Sequence, residues 1–298
     1  MSQAQALPPV DPRMPSPPRQ PLPAGACDTH THVFGPYDVF PFVTPSSYAP
    51  PLAPFDRHAE MLDRIGAERV VLVQPAPYAH DHRALVDALR RYGGRARGIA
   101  TVTDGVEDDE LDALHAAGVR GVRFAEVLDR GTGRRFAGSV GIDHLGRLAS
   151  RLRDRGWHAQ VWARCADVPA CVAVAERAGV PVVFEHMGMV DVALGPAHDD
   201  VARLIELVRD GRAWVKLAVC RNSTAGPAYP DLRPFHEALV AANPARLLWA
   251  SDWPFVRMGD ASPDVGRLID LFDEWVADAS VRHGVLVANP AALYGFQA

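Results

Sequence analysis

The chain has 298 residues, 48% of them hydrophobic and 22% charged, which is enough to bury a large core. Its formal net charge of −5 gives no basic footprint and argues against nucleic acid as a partner. No apolar run approaches the ~20 residues that would cross a bilayer, so we expect no membrane association. Four cysteines without a C-x-x-C spacing predict reduced, buried thiols in a cytoplasmic protein. The expected assembly is a monomer or a homodimer.

Residues 1–25 are rich in proline, from Pro8 to Pro23, and lack the apolar stretch of a signal peptide. Such a segment predicts an extended arm that either stays mobile or lies across the surface. Residues 26–298 are predicted to form a single catalytic domain.

From residue 26 onward, short apolar runs alternate with amphipathic stretches. Eight runs are predicted strands: Ala26–Val33, Arg69–Gln74, Arg97–Val102, Val119–Phe124, Trp157–Trp162, Val180–His186, Ala213–Val219 and Arg246–Ser251. Several are almost wholly apolar and β-branched, as expected for parallel strands that are covered on both faces. Predicted helices lie between them, for example His82–Tyr92, Asp143–Arg155, Val168–Ala178, Asp199–Arg209 and Leu232–Ala242.

This alternation predicts an α/β fold, and eight strands favour a closed (β/α)8 TIM barrel over an open doubly wound sheet. No G-x-G-x-x-G follows the first strand, which counts against a dinucleotide-binding open sheet. Residues 34–54, rich in proline and aromatic residues, follow the C-terminal end of the first strand. In a barrel they would form part of the active-site rim.

Ionisable side chains stand at the C-terminal ends of three predicted strands, where this fold places catalytic groups. His30 and His32 are two residues apart on the first strand and therefore share a face. His186 ends the sixth predicted strand, and Asp252 follows the eighth. Each of these residues has an ordinary structural explanation by itself. Together they predict a site at the barrel mouth.

These motifs resemble the amidohydrolase superfamily. The resemblance rests on His30-Thr31-His32, Glu185-His186-Met187-Gly188, Ser251-Asp252-Trp253-Pro254-Phe255 and Asn289-Pro290-Ala291-Ala292-Leu293-Tyr294-Gly295-Phe296. It covers nearly everything from Ala26 to the C-terminus. Within the superfamily the chain is most similar to the 2-pyrone-4,6-dicarboxylate lactonase branch, which also includes sulfomuconolactone hydrolases and sugar-lactone enzymes.

The resemblance implies hydrolysis of a small anionic lactone, either 2-pyrone-4,6-dicarboxylate-like or muconolactone-like, in aromatic catabolism. It implies Asp252 as the general base that takes a proton from water. His30, His32 and His186 would then polarise the lactone carbonyl, directly or through one divalent ion. The same four side chains would hold one Zn2+ if a metal is bound. The branch contains both metal-free and zinc enzymes, so metal-independent catalysis stays open.

The resemblance also implies that no carbamylated lysine bridges two metals, and the fourth strand offers no lysine at its mouth. Six further residues are expected to contact the substrate: Arg123, Arg221, Tyr48, Gln74, Gln160 and Arg130. Arginine suits bidentate carboxylate binding, although a structural ion pair is the alternative role for Arg123. Trp162 shares a face with Gln160 and either lines or fills the pocket. Glu185 is expected to face away from the barrel interior.

The chain departs from the branch after Gln74-Pro75, where the usual serine is absent, so a related lactone is as plausible a substrate as pyrone dicarboxylate. Three alternative functions remain open. One is a metal-dependent decarboxylase of an aromatic or muconate-type acid. Another is a different hydrolase or a lactone isomerase. The third is a non-catalytic carboxylate-binding protein.

Overall fold

The computed structural model describes residues 10–44, 46, 48 and 51–297. Eight parallel strands follow one another in sequence order around a single sheet. They are β1 (Cys27–Thr31), β2 (Arg69–Val73), β3 (Ala96–Ala100), β4 (Val119–Ala125), β5 (His158–Trp162), β6 (Val182–Phe184), β7 (Trp214–Leu217) and β8 (Leu247–Trp249). All eight predicted strands are present; β4 is slightly longer than predicted and the others are shorter.

The sheet closes on itself just beyond β8. The Asp252 amide donates to the His30 carbonyl at 2.9 Å, and the His32 amide donates to the Trp253 carbonyl at 3.0 Å. These bonds join the last strand to the first, which confirms the (β/α)8 barrel and excludes the open sheet. The prediction that the sixth strand runs to His186 was wrong, because the backbone of His186 turns into the left-handed region with φ of 50°.

Helices separate the strands and cover the outside of the barrel. They are α1 (Phe55–Ile65), α2 (Arg83–Tyr92), α3 (Asp108–Ala117), α4 (Leu145–Asp154), α5 (Val168–Ala178), α6 (Asp199–Arg209), α7 (Arg233–Ala242), α8 (Val265–Trp275), α9 (Ala279–His283) and α10 (Asn289–Tyr294). The predicted bounds of α5 and α6 are confirmed; Gly179 follows α5 as its C-cap, which its φ of 64° suits. Within the described residues, none of these helices has the length and hydropathy needed to cross a membrane.

The barrel interior is closed at its N-terminal end by the end of the chain. Apolar side chains from the strands, among them Val71, Ile99 and Leu248, pack against Tyr294 and Phe296. The carbonyl of Tyr294 also accepts a hydrogen bond at 3.1 Å from the guanidinium of Arg97 in β3. Because Tyr294 and Phe296 cover this end, the barrel is open only at the C-terminal ends of its strands. All four cysteines are buried and unpaired, as predicted.

Residues 10–25 lie along the surface beside α8 and reach the barrel mouth. The Ser16 amide contacts both carboxylate oxygens of Asp264 at 3.1 Å. The Arg13 carbonyl accepts a hydrogen bond at 3.1 Å from the indole N–H of Trp253. The arm therefore contacts the residue that follows Asp252 in the chain.

Candidate active site

Three histidines and one aspartate meet at the mouth of the barrel. The ring centroid of His30 lies 5.0 Å from that of His32 and 5.1 Å from that of His186. The Oδ1 atom of Asp252 lies 3.7 Å from Nε2 of His30 and 3.6 Å from Nε2 of His32. Each of the four side chains is at most 5% exposed. The structure thus brings the four residues expected from the sequence into one buried cluster.

The backbone at two of these positions adopts a conformation that non-glycine residues rarely take. His186 has φ of 50° and Asp252 has φ of 69°. Such conformations cost about 1–3 kcal/mol and concentrate at functional sites. The side-chain amide of Asn222 donates to the His186 carbonyl at 2.6 Å and holds this turn in place. Each side chain is consequently aimed into the mouth although the strand has already ended.

Burial determines the charges of the cluster. Loss of solvation lowers the pKa of His30 well below its ordinary value and lowers the pKa of His186 to about 4. Burial alone would raise the pKa of Asp252, but the positive charge of Arg221 holds it well below its usual range. The Nε–H of Arg221 donates to Oδ2 of Asp252. Near pH 7 the cluster therefore combines an ionised Asp252 carboxylate with neutral imidazoles at His30 and His186.

The donor atoms of the cluster fit a divalent metal ion. His30, His32 and Asp252 offer ligand atoms within 4.8 Å of one another, and so do His30, Glu185 and His186. Neither ring nitrogen of His30 forms a hydrogen bond with a described residue. The Val73 carbonyl lies 2.8 Å from Nδ1 of His32, and a proton on that nitrogen leaves the Nε2 lone pair facing Asp252. Nitrogen and carboxylate ligands in such a set suit Zn2+.

Glu185 points into the barrel, so the expectation that it faces outward was wrong. Its carboxylate accepts hydrogen bonds from Nε and Nη2 of Arg123 at 2.8 and 2.7 Å. The amide of Gln160 donates a third hydrogen bond, also at 2.7 Å. Burial would raise the pKa of Glu185, but Arg123 lowers it to about 2. Val183 faces the barrel interior, and Glu185 faces the same side of the strand because it lies two residues later. His186 points into the barrel mouth because its backbone is left-handed.

A buried lysine completes this network, and sequence reasoning missed it. Nζ of Lys216 donates to the Thr29 carbonyl at 2.6 Å and to Oε1 of Gln160 at 2.5 Å. Burial lowers its pKa to about 7. A signal was present, because Lys216 stands between Val215 and Leu217 in a strand predicted to be covered on both faces, and lysine is rarely buried there without partners.

A cavity of about 370 Å³ lies at the barrel mouth. His32, His186 and Asp252 contribute to its lining, so the buried cluster is accessible from it. Its walls combine aromatic and cationic side chains, namely Phe34, Tyr48, Phe136, Trp162, Arg123, Arg135, Arg221 and Arg257. The arrangement suits a small, flat, anionic molecule with a reacting group at the carboxylate of Asp252.

Three of the six residues expected to contact a substrate line this cavity: Arg123, Arg221 and Tyr48. Trp162 lines it as well. The other three lie elsewhere. The amide of Gln74 donates to the carbonyls of Ala79 and Asp81 at 3.2 and 2.9 Å.

The remaining two expected residues take different positions. Gln160 is fully buried between Glu185 and Lys216 and does not line the cavity. Arg130 is exposed and also stands outside the lining, whereas Arg135 from the same loop lines it. The sequence identified a basic loop there but carried no information on which of its side chains turns toward the mouth.

Known proteins share this fold and this sequence pattern. The sequence profile of the amidohydrolase family matches residues 27–296. A 2-pyrone-4,6-dicarboxylate hydrolase of Comamonas testosteroni is 37% identical over 290 residues, covering 94% of this chain and 93% of that protein. A 4-sulfomuconolactone hydrolase of Rhizobium radiobacter is 35% identical over 278 residues, covering 92% of this chain and 91% of that protein.

A crystal structure from Pseudomonas putida, solved as a candidate 2-pyrone-4,6-dicarboxylic acid hydrolase, superposes with a TM-score of 0.76 at 28% identity. The match covers 93% of this chain and all of that one. Sequence and fold agree over nearly the whole length. The chain belongs to the amidohydrolase family.

Proposed function

We propose that this protein hydrolyses the ester bond of a small carboxylated lactone, with Asp252 as the general base. The observation that carries the proposal is the placement of the Asp252 carboxylate beside three histidine rings in an arginine-lined cavity. The relatives named as hydrolases of 2-pyrone-4,6-dicarboxylate and 4-sulfomuconolactone support this substrate class.

The reaction needs a base for water and a stabilised oxyanion. Asp252 stays ionised at neutral pH, so it can accept a proton from water while the water oxygen forms a bond to the lactone carbonyl carbon. The neutral imidazoles of His30 and His186 donate hydrogen bonds to the developing oxyanion. The C–O bond of the ring then breaks, and the proton held by Asp252 passes to the leaving ring oxygen.

Arg221 supports the base from its other side. It donates to Oδ2 of Asp252, while Oδ1 faces His30 and His32 at 3.7 and 3.6 Å. The hydrogen bond at Oδ2 fixes the orientation of the Asp252 carboxylate, and Oδ1 is left facing the imidazoles. Together with Arg123 and Tyr48 on the cavity wall, Arg221 would bind the substrate's carboxylates.

A divalent ion is compatible with this arrangement. His30, His32 and Asp252, with His186 beside them, would hold one Zn2+, which would supply Lewis-acid polarisation of the carbonyl. The histidines can otherwise act directly as hydrogen-bond donors. The protein's own part is the same in both cases: it orients the carbonyl and keeps Asp252 ionised.

Turnover of a panel of carboxylated lactones by purified protein tests the proposal. We expect ring opening with uptake of one water, and a loss of kcat of about 10²- to 10⁴-fold in Asp252→Asn, because an amide accepts no proton at neutral pH. Asp260→Asn is the matched control, because Asp260 is an exposed aspartate shortly after Asp252 that does not line the cavity. Near wild-type turnover by Asp252→Asn would exclude Asp252 as the base, and release of CO2 would indicate a decarboxylase instead.

A further inference from the structure

The side chain of His58 lies at a core-facing position of α1. It shares the buried face of that helix with Met61, Leu62 and Ile65, at the i, i+3, i+4 and i+7 spacing that packs a helix against a sheet. The imidazole is fully buried, and a buried polar ring costs free energy unless its nitrogen atoms form hydrogen bonds. An apolar residue would fill the same space without this cost, so the partners of His58 indicate what the ring does.

Both ring nitrogens of His58 have a hydrogen-bond partner. Nε2 lies 2.8 Å from Oγ1 of Thr31 in β1, and Nδ1 lies 2.6 Å from the hydroxyl oxygen of Tyr92 in α2. The Thr31 hydroxyl donates to the Val71 carbonyl at 3.4 Å, so its oxygen accepts the Nε2–H of His58. Burial lowers the pKa of His58 to about 3, and the neutral ring therefore keeps a lone pair on Nδ1 for the Tyr92 hydroxyl. These bonds form one chain from α2 through α1 to β1 and β2.

Thr31 connects this chain to two histidines of the cluster. It stands between His30 and His32 in the sequence, and side chains alternate along a strand. Thr31 therefore faces the helices while both imidazoles face the barrel mouth, where their Nε2 atoms lie 3.7 and 3.6 Å from Oδ1 of Asp252. The hydrogen bond from His58 restrains the backbone segment from which both imidazoles project.

His58 also packs against Trp253, the residue that follows Asp252. The rings meet edge to face, with centroids 5.5 Å apart and an interplanar angle of 77°. The Trp253 side chain is fully buried, and the Arg13 carbonyl accepts a hydrogen bond from its indole N–H at 3.1 Å. The backbone carbonyl of Trp253 accepts a hydrogen bond from the His32 amide at 3.0 Å. A single imidazole thus contacts both the segment that ends β1 and the segment that follows β8.

We propose that His58 is a positioning residue that fixes, from behind the barrel wall, the spacing between the Asp252 carboxylate and the imidazoles on either side of Thr31. Its effect on turnover rests on the proposed function. His58 does not line the cavity, so it acts through the residues it contacts rather than on the substrate. A displacement of about 1 Å at a catalytic group can reduce the rate about 100-fold. Loss of His58 should therefore lower kcat and leave KM nearly unchanged.

Replacement of His58 by phenylalanine removes both hydrogen bonds and keeps an aromatic ring in the core. With a carboxylated lactone we expect His58→Phe to lower kcat about 10-fold or more and to change KM by less than about twofold. His58→Gln should recover most of the lost kcat, because its amide N–H can reach the Thr31 hydroxyl. A KM increase with unchanged kcat, or equal kcat losses in the two variants, would overturn the proposal.

His236→Phe is the matched control. His236 is also a buried histidine of the helix layer, in α7, where it packs on Phe272 and Trp275 and does not line the cavity. Its replacement should leave kcat unchanged even where Tm falls by a similar amount. An equal loss of kcat in His236→Phe would overturn the proposal, because general destabilisation would then explain the effect. If His58→Phe fails to fold, Thr31→Val takes its place with the same expected fall in kcat, because valine keeps the shape of threonine and removes the hydroxyl.

Hydrogen exchange tests the positioning without reference to activity. The His32 and Asp252 amides form hydrogen bonds that join β1 to the chain beyond β8. In His58→Phe these amides should exchange about 10-fold faster, whereas His236→Phe should leave their exchange unchanged. Faster exchange in a protein that opens no lactone would support the positioning role and remove the proposed function. Unchanged exchange, or faster exchange with unchanged lactone turnover, would overturn the role of His58.

Discussion

Replacement of Arg123 by methionine would leave the Glu185 carboxylate buried without its counter-charge. The side chain of Arg123 is 15% exposed, that of Glu185 is fully buried (0%), and the two form a bidentate ion pair. The pKa of Glu185 falls from its ordinary value of 4.5 to about 2, which corresponds to about 3 kcal/mol of stabilisation at neutral pH. This figure agrees with the roughly 3–5 kcal/mol lost when one partner of a buried ion pair is removed.

The pH dependence follows from the same shift. Because the folded-state pKa lies below the unfolded value, the stabilisation is complete above about pH 4.5 and is lost as the pH falls toward 2. In Arg123→Met, burial should instead raise the pKa of Glu185, so that the carboxyl takes up a proton as the pH falls. The destabilisation by the mutation should therefore be largest near pH 7 and smaller at pH 4.5.

Thermal unfolding at these two pH values measures the effect. For a chain of this length, about 3 kcal/mol lowers Tm by roughly 5 °C at pH 7. Arg212→Met is the matched control, because Arg212 pairs with Glu176 on the surface, where both side chains are nearly half exposed. Its Tm should stay unchanged within experimental error. A Tm loss in Arg123→Met that is equally large at both pH values would show that lost packing, rather than the unpaired carboxylate, causes the instability.

Three other outcomes are expected. Chelation followed by Zn2+ add-back should remove and restore activity with about one ion per chain by mass spectrometry; full activity in metal-free protein would leave the histidines as direct donors. Arg221→Met should raise KM for a carboxylated lactone about 10-fold more than for its methyl ester, and equal effects would remove Arg221 from substrate binding. Gly266→Ala should detach the N-terminal arm, because a Cβ there would lie 2.0 Å from the Ser16 carbonyl oxygen; unchanged protection of residues 10–25 in hydrogen exchange would contradict this.

Much of the site could be predicted because strand alternation and strand ends are local properties. An apolar run ends where polar residues begin, and in a parallel barrel all such ends meet at one face. His30 and His32 share a face through their spacing alone. Asp252 follows an apolar run directly, so its position needed no knowledge of distant residues. The predicted barrel and the meeting of these side chains at the mouth therefore came from the sequence by itself.

The tertiary structure decided two features that the alternation of side chains along a strand cannot predict: the backbone turn at His186 and the contacts between residues far apart in the chain. The left-handed backbone at His186 lets Glu185 and His186 both serve the barrel interior, although neighbouring strand residues normally face opposite sides. The pairing of Glu185 with Arg123, 62 residues away, and of Lys216 with Gln160, 56 residues away, exists only once the strands are assembled. Such contacts depend on the path of the closed sheet, because buried charges are tolerated only where distant partners compensate them.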